Sequence, residues 1–339
     1  MNTFGKNLRL TAFGESHGKA LGAIIDGCPA GIQFSLKDLQ KELDKRKPGQ
    51  SALTTARKEN DKAEILSGVF ENKTLGTPIA MVVFNQDQKS KDYNNIKNIF
   101  RPGHADEAWQ SKFGWRDHRG GGRSSGRETI ARIMGGVIAK KILPKKTQII
   151  GHTKSIYNIT AKNFKKAEIE KNLIRCADPL AAKKMETCIL EAKNKGDSVG
   201  GTVEIIIKNC PQNIGEPIFG KLKALLSSAI FSLGAVFSLE IQPGFKFAEL
   251  KGSEANLLKT GISGGIATGE DIIINFAVKP TPSISQEQKM KSIKGTTIEN
   301  QITGRHDPCI IPRLIPVAES MVALVLADLY LEDKMYKKT

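Results

Sequence analysis

The 339-residue sequence lacks most features that mark exported, metal-binding or membrane proteins. Its five cysteines are an odd number, are widely scattered and include no C-x-x-C pair, so neither a disulfide framework nor a zinc ribbon is indicated. No basic segment followed by an apolar stretch marks a signal peptide. The longest apolar run near the C-terminus, Met321 to Ala327, is far shorter than the ~20 residues of a membrane span. We therefore expect a cytoplasmic protein without a metal and without a membrane partner.

Aromatic residues are also scarce, at 6 %, and they do not alternate with the basic segments as stacking platforms for nucleic acid would. Lysine and arginine number 51 against 35 acidic residues, a formal charge of +16 that favours anionic partners. Because the arginines cluster beside glycine and serine, small phosphates and carboxylates fit better than nucleic acid. We expect no nucleic-acid partner, and salt-independent retention on DNA or RNA would agree with that.

Apolar periodicity and capping residues predict an α/β fold of mixed α and β layers in a single domain, residues 1–339. The predicted helices follow the Ser35 cap, follow the Asp178 cap up to Gly196, fill the segment before Pro144, run from Pro217 to Leu233, and run from Ala318 to about Glu332. The predicted strands are "LGAIIDG", "AMVVF", "GTVEIIIKN" and "DIIINFAVKP".

The stretch "GESHG", Gly14 to Gly18, matches the nucleophile elbow of α/β-hydrolases. An elbow needs a strand before it and a helix after it, whereas the following "KALGAIIDG" predicts a second strand. The alternative places Ser16 and His17 in a tight turn between two strands. The stretch "GEPIFGKL" has P-loop spacing, but Leu222 replaces the Mg²⁺-binding hydroxyl and Pro217 lacks an N–H, which excludes a nucleotide loop.

The segment "RGGGRSSGRET" predicts an anion site. Its glycines allow backbone amides to converge, Ser124 and Ser125 add hydroxyls, and the helix that follows adds the positive end of its dipole. Arg119, Arg123 and Arg127 can each form forked hydrogen bonds with phosphate or carboxylate.

Three further loops carry chemistry in a less specific way. In "RPGHAD", His104 is either a titrating loop histidine or part of a turn in which Asp106 begins a helix. In "GRHDPC" the spacing of the residues is wrong for a metal site. Arg305 is instead suited to binding an anion, and Asp307 to orienting a group or relaying protons. The turn "KPTPS" either adds a cation and two hydroxyls to a site or only ends an edge strand.

These motifs, "GESHG", "RPGHAD", "RDHRGGGRSSGRET", "KPTPS" and "GRHDPC", occur in an order that resembles the chorismate synthase family over nearly the whole chain. The resemblance implies a lyase that eliminates phosphate and a proton from 5-enolpyruvylshikimate 3-phosphate to form chorismate, with reduced FMN as cofactor. It also implies a homotetramer with a β-α-β sandwich fold, and an external source of reduced flavin.

The resemblance assigns roles to individual residues. His17 would be the general acid at the leaving phosphate, and His104 would protonate or stabilise the reduced flavin, both with pKa values near neutrality. Asp307, Ser16 and Ser125 would relay protons around the flavin N5, the acceptor of the substrate's C6 proton. The flavin-contacting positions would be Arg123, Ser124, Ser125, Gly234, Ala235, Gly264, Lys279, Pro280, Thr281, Pro282, Ser283 and Arg305.

The remaining cations of the motifs, Arg46, Arg119 and Arg127, are predicted to bind substrate. The sequence departs from the family at two positions. Ala52 replaces an arginine of many members, which bears on the NADP binding expected in the family. Gly234 replaces an asparagine, which leaves a backbone contact at that position.

Overall fold

The computed structural model describes residues 2–49, 53, 60–86, 97–302 and 306–336. Its α-helices in these ranges are Leu36–Arg46 (α1), Asp106–Phe113 (α2), Thr129–Ile142 (α3), Pro179–Asn194 (α4), Leu222–Phe231 (α5), Gly252–Ala255 (α6) and Ile311–Tyr336 (α7). Its strands are Thr3–Phe4 (β1), Arg9–Gly14 (β2), Ala20–Asp26 (β3), Ala63–Ile65 (β4), Val69–Phe70 (β5), Lys73–Thr74 (β6), Ile79–Phe84 (β7), Ile99–Phe100 (β8), Gln148–Ile156 (β9), Ile159–Thr160 (β10), Gly201–Lys208 (β11), Val236–Ile241 (β12), Ile262–Ser263 (β13), Ile266–Ala267 (β14), Ile272–Val278 (β15), Glu287–Ser292 (β16) and Thr297–Gln301 (β17).

Two antiparallel sheets enclose a layer of helices. One sheet has the strand order β1-β2-β3-β7-β4 and the other the order β10-β9-β11-β15-β12. Between them α3 packs on β2 and β3, α7 packs on β9 and β11, and the two helices pack against each other. In β15 the apolar side chains alternate between buried and half-buried positions, as expected for a strand with one face on a core. The predicted β-α-β sandwich is confirmed.

Local capping signals placed the early helices correctly. Helix α1 begins after Ser35, whose hydroxyl and the Asp38 carboxylate form the predicted capping box. Helix α4 begins after Asp178, which caps it, and ends before Gly196.

Two predicted helix starts were wrong. The helix expected from Pro217 begins only at Leu222, because the Glu216 N–H donates to the Gly220 carbonyl and closes a turn there. The last helix begins at Ile311 and not at Ala318, and it contains Pro316. The carbonyl oxygen of Pro316 accepts a hydrogen bond from the Ser320 hydroxyl. Of the strands, only β2, β3, β7, β11 and β15 were predicted.

Helix α7 is long and apolar enough, by length and composition, to cross a membrane. Within the fold, however, 83 % of its most apolar window is buried. This pattern is that of a core helix, which explains the high apolar content without a lipid environment.

The contact between α3 and α7 depends on the absence of a side chain at Gly136. A Cβ atom there would lie 2.2 Å from the Ser320 Cβ and 2.6 Å from its Cα, closer than packed carbon atoms approach. Gly136 therefore sets the distance between the two central helices, α3 and α7.

We predict that Gly136→Ala destabilises the fold by about 1–3 kcal/mol, because the extra methyl group forces α3 and α7 apart. Urea denaturation measures this. Gly252→Ala is the matched control, since its added Cβ meets nothing within 4 Å. Equal stability of the two variants would contradict the prediction.

Candidate active site

The turn between β2 and β3 buries Ser16 and His17, which are 0 % and 5 % exposed. The Gly18 N–H donates to the Glu15 carbonyl at 3.0 Å and closes the turn. Because strand β3 follows the turn, and not a helix, the nucleophile-elbow interpretation of Ser16 is excluded.

The glycine-rich loop lies directly on this turn. Gly120, Gly121 and Gly122 have φ values of +65°, +86° and +53°, a conformation that residues with a Cβ rarely adopt. A Cβ at Gly120 would lie 2.4 Å from the His17 Cδ2 and 3.0 Å from the Ser16 Oγ. Among the described residues the buried Ser16 Oγ has no hydrogen-bond partner. A buried hydroxyl of this kind is suited to a bound ligand.

The amides of the loop are partly used within the loop itself. The Ser124 and Ser125 N–H groups donate to the carbonyls of Gly121 and Gly122, and the Ser124 hydroxyl donates to the Gly121 carbonyl. The Ser125 hydroxyl accepts from the Arg127 N–H at 3.3 Å. The convergence of amides on an anion therefore stays a prediction.

The three arginines of the loop differ in how their charge is balanced. Arg119 forms a forked ion pair with Asp117, and Arg127 pairs with the buried Asp61. Arg123 donates to the Gly14 carbonyl and the Asn2 amide oxygen, both at 3.4 Å, and has no carboxylate within 4 Å in the described part of the chain. Arg123 is therefore the arginine best able to attract an anion.

The loop that carries His104 meets the "KPTPS" segment. The His104 Nε2 lies 2.5 Å from the Ser283 Oγ, and the Lys279 Nζ donates to the Gly103 carbonyl at 2.8 Å. The segment is more than a strand terminator, because Ser283 is buried against the histidine. Within the same segment Thr281 accepts a hydrogen bond from the Ser198 hydroxyl through its carbonyl, and Pro280 and Pro282 flank it.

Burial lowers the pKa of His104 to about 3, and the positive charge of Arg101 adds to the effect. Lys279 and His306 act in the same direction, while Asp106 opposes them. In the protein without ligands, His104 is neutral at physiological pH. The expected pKa near neutrality is not found at this residue.

Arg101, which motif reasoning did not assign to the site, connects the two loops. It forms a forked ion pair with Asp106, whose carboxylate binds this side chain and does not cap helix α2. A Cβ at Gly121 would lie 3.2 Å from the Arg101 Nη2. The signal was present in "RPGHAD", where only the histidine was considered.

Asp307 forms an ion pair with Arg313, whose Nε donates to the Arg46 carbonyl at 3.0 Å. The neighbouring His306 has its pKa lowered by burial and by Arg101, which places the "HDPC" segment beside the His104 loop. Arg305 and Ala52 lie outside the described residues.

Arg46 and Arg127, both predicted to bind substrate, lie inside the protein. Their guanidinium groups donate to the two oxygens of one carboxylate, that of Asp61, at 2.7 and 2.8 Å. Burial would raise the pKa of Asp61, but the two arginines hold it below its usual range. Their substrate contacts stay a prediction, whereas their contact with Asp61 is visible.

Among the predicted flavin contacts that the structure describes, Gly264 lies far from Ala235 and the "KPTPS" segment within the chain. The Ala235 carbonyl accepts from the Lys279 N–H at 2.9 Å, so Ala235 and its neighbour Gly234 adjoin the "KPTPS" segment. Gly264 lies in the turn before β14, beside the first residue of α5, while Ala235 follows the other end of that helix. Ten helical residues span about 15 Å.

Comparison with known proteins identifies the family of the chain. A family model described as chorismate synthase matches residues 8–331. The chain belongs to the chorismate synthase family.

Its relatives are similar over nearly their full lengths. The chorismate synthase of Christiangramia forsetii is 48 % identical, covering 99 % of both chains, and that of Methanocella arvoryzae is 51 % identical, covering 96 % of this chain and 93 % of the relative. A crystal structure of a chorismate synthase is similar with a TM-score of 0.75 and 29 % identity, covering 97 % of this chain and 93 % of that one. The chain is therefore an enzyme, a lyase that eliminates phosphate from 5-enolpyruvylshikimate 3-phosphate to give chorismate in aromatic amino acid biosynthesis.

We predict that Gly120→Ala lowers turnover about 100-fold, because the added methyl group displaces the His17 ring from its position under the loop. Steady-state kinetics measures the loss. Gly114→Ala is the matched control, since Gly114 also has a positive φ, +71°, and its Cβ meets nothing within 4 Å. Similar turnover in the two variants would contradict this geometry of the turn and loop.

Proposed function

We propose that the chain carries out this elimination with reduced FMN, held between the glycine-rich loop, the His104 loop and the "KPTPS" segment. The observation that carries the proposal is a series of contacts. Gly120 lies on the buried turn of Ser16 and His17, Gly121 lies beside Arg101 of the His104 loop, and His104 contacts Ser283 of the "KPTPS" segment. The substrate brings two carboxylates and a phosphate, and the cofactor brings another phosphate. A site for them must supply several cations in a small space.

The residues present fit a flavin. Gly120 lets the loop lie directly on the His17 ring, the buried Ser16 hydroxyl has no hydrogen-bond partner among the described residues, and the "KPTPS" segment adds hydroxyl groups and a cation. We propose that Arg123 to Ser125, Gly234, Ala235, Gly264, Lys279 to Ser283 and Arg305 hold it. When bound, reduced FMN would supply electron density to the substrate as its C–O bond breaks.

Arg123 and Lys279 are the cations best placed to receive the anionic groups. Neither has a carboxylate within ion-pair distance among the described residues, whereas Arg101, Arg119 and Arg127 each have one. A cation without a partner gains more from an incoming anion than one that must first leave a carboxylate. We propose that Arg46, Arg119 and Arg127 also bind substrate, but contribute less to it, because each already pairs with a carboxylate.

His17 is proposed as the general acid that protonates the leaving phosphate. Its ring lies under Gly120, within reach of a ligand that enters the loop, and is largely shielded from water. Asp307, Ser16 and Ser125 are proposed as members of a proton relay. Asp307 is held by Arg313, and Ser125 by the Arg127 N–H, so both are fixed in orientation.

His104 is proposed to act on the reduced flavin, and its low pKa sets a condition on that role. A neutral imidazole donates one hydrogen bond and carries no charge. Burial and, after it, Arg101 lower the pKa of His104, and a bound anion that offsets Arg101 and Lys279 would raise it. Protonation of His104 would then accompany ligand binding.

The test is an anaerobic assay with dithionite-reduced FMN and pure substrate, in which chorismate and inorganic phosphate form in equal amounts. We expect oxidised FMN to give no product, and NADPH with oxidised FMN to give none without a separate reductase. Absence of chorismate with fully reduced flavin would overturn the proposal. Turnover with NADPH alone would contradict the dependence on an external reductant.

We further propose a homotetramer. Among the described residues, five large apolar side chains are more than four-fifths exposed, and such surfaces favour association: Trp115, Phe219, Phe237, Phe245 and Leu257. We propose that in this assembly Gly264 of one copy approaches the site of another copy, because it lies far from Ala235 within one chain. Analytical ultracentrifugation should give four times the chain mass of 37.0 kDa. A monomer at micromolar concentration would contradict this.

The cytoplasm is the proposed location. All five cysteines are free thiols, four of them buried, which suits a reducing compartment.

A further inference from the structure

Asn85, at the end of strand β7, joins the turn of His17 to the glycine-rich loop. Its side-chain Nδ2 donates to the Gly18 carbonyl at 2.8 Å and to the Glu15 carbonyl at 3.3 Å. Its Oδ1 accepts from the Arg127 Nε at 2.6 Å. The orientation of the amide is fixed by chemistry, because carbonyls only accept and a guanidinium only donates.

The two bonded carbonyls flank Ser16 and His17 on both sides. Asn85 therefore closes the turn from outside, in addition to the bond between the Gly18 N–H and the Glu15 carbonyl. The backbone of Asn85 takes part as well, since its N–H donates to the Lys19 carbonyl at 3.0 Å. A turn held at three carbonyls has little freedom to move the histidine ring.

The other side of Asn85 is anchored deep in the fold. Arg127 pairs with Asp61, a carboxylate that is 0 % exposed, and Asp61 pairs in turn with Arg46. Arg127 also belongs to the glycine-rich loop, where its N–H donates to the Ser125 hydroxyl. A movement of the turn relative to the loop must therefore break the Asn85 bonds or disturb a buried ion pair.

We propose that Asn85 is a positioning residue for His17, and that Asp61, through Arg127, fixes the place of Asn85. In this arrangement Asn85 is proposed to contact neither the substrate nor the flavin. It sets the orientation of the histidine relative to the loop that binds the ligands. This inference rests on the role proposed for His17.

The decisive variant is Asn85→Ala, compared with Asn194→Ala, which changes an exposed asparagine at the end of α4 that does not belong to the site. In the ligand-free protein we expect amide hydrogen exchange at Gly18 and Lys19 to accelerate about tenfold in Asn85→Ala, because the turn loses the donor to two carbonyls. Amides of the core helices should keep their rates. Unchanged exchange in the turn, or acceleration spread over α3 and α7, would overturn the proposal.

Kinetics gives a second readout. We expect Asn85→Ala to lower kcat about tenfold or more, while KM and the affinity for reduced FMN change less than about threefold. A loss of flavin affinity with normal kcat would overturn the proposal, since it would place Asn85 in the binding of the cofactor. If the unaltered protein forms no chorismate, the proposed function fails, and the exchange experiment still decides whether Asn85 holds the turn.

Asn85→Asp tests the bonds of Nδ2 to the turn separately from the bond of Oδ1 to Arg127. The carboxylate still accepts from Arg127 but cannot donate to the carbonyls of Gly18 and Glu15. We expect this variant to resemble Asn85→Ala in the exchange of the turn. Protection equal to that of the unaltered protein would overturn the proposal, because the bond to Gly18 would then be dispensable.

Discussion

The carboxylate of Asp61 accepts hydrogen bonds from Arg46 and Arg127 at a position that solvent does not reach. Transfer of three charges out of water is costly, and the arrangement is stable only because each carboxylate oxygen has its own guanidinium partner. Removal of that carboxylate would leave two buried cations facing each other, a cost of about 3–5 kcal/mol for a broken buried pair. The trio also keeps one net positive charge beside the glycine-rich loop, to which Arg127 belongs.

The same logic explains which cations remain available at the surface of the site. Arg101 is neutralised by Asp106 and Arg119 by Asp117, so these side chains shape the loops. Arg123 and Lys279 bond only to neutral oxygens in the described residues, and their charge stays unbalanced. Burial, and after it Arg101, lower the pKa of His104, and Lys279 adds to the effect. An anionic ligand at Arg123 or Lys279 would therefore meet a cation that no carboxylate of the described residues neutralises.

The sequence predicted what depends on local signals. The capping box of Ser35 and Asp38, the cap at Asp178 and the strand on each side of Ser16 were all readable, because capping and alternation act over a few residues. The order of the motifs identified the family. The missed helix start at Ile311 has a local cause as well, since two prolines in the first turns hid a helix whose stability comes from burial in the core.

What could not be predicted joins residues far apart in the chain. Arg127 lies 66 residues from Asp61 and 42 from Asn85, and neither partner belongs to a recognisable motif. A lone asparagine after a strand is a common strand end, and an aspartate between polar residues looks like a solvated charge. Only the folded structure shows that Asp61 and Asn85 bond to Arg127 of the glycine-rich loop, a motif that the sequence did reveal. Motifs therefore predict the groups that contact ligands, whereas the groups that orient them follow from the packing of the two sheets around α3 and α7. We infer that this second set decides whether His17 faces the loop.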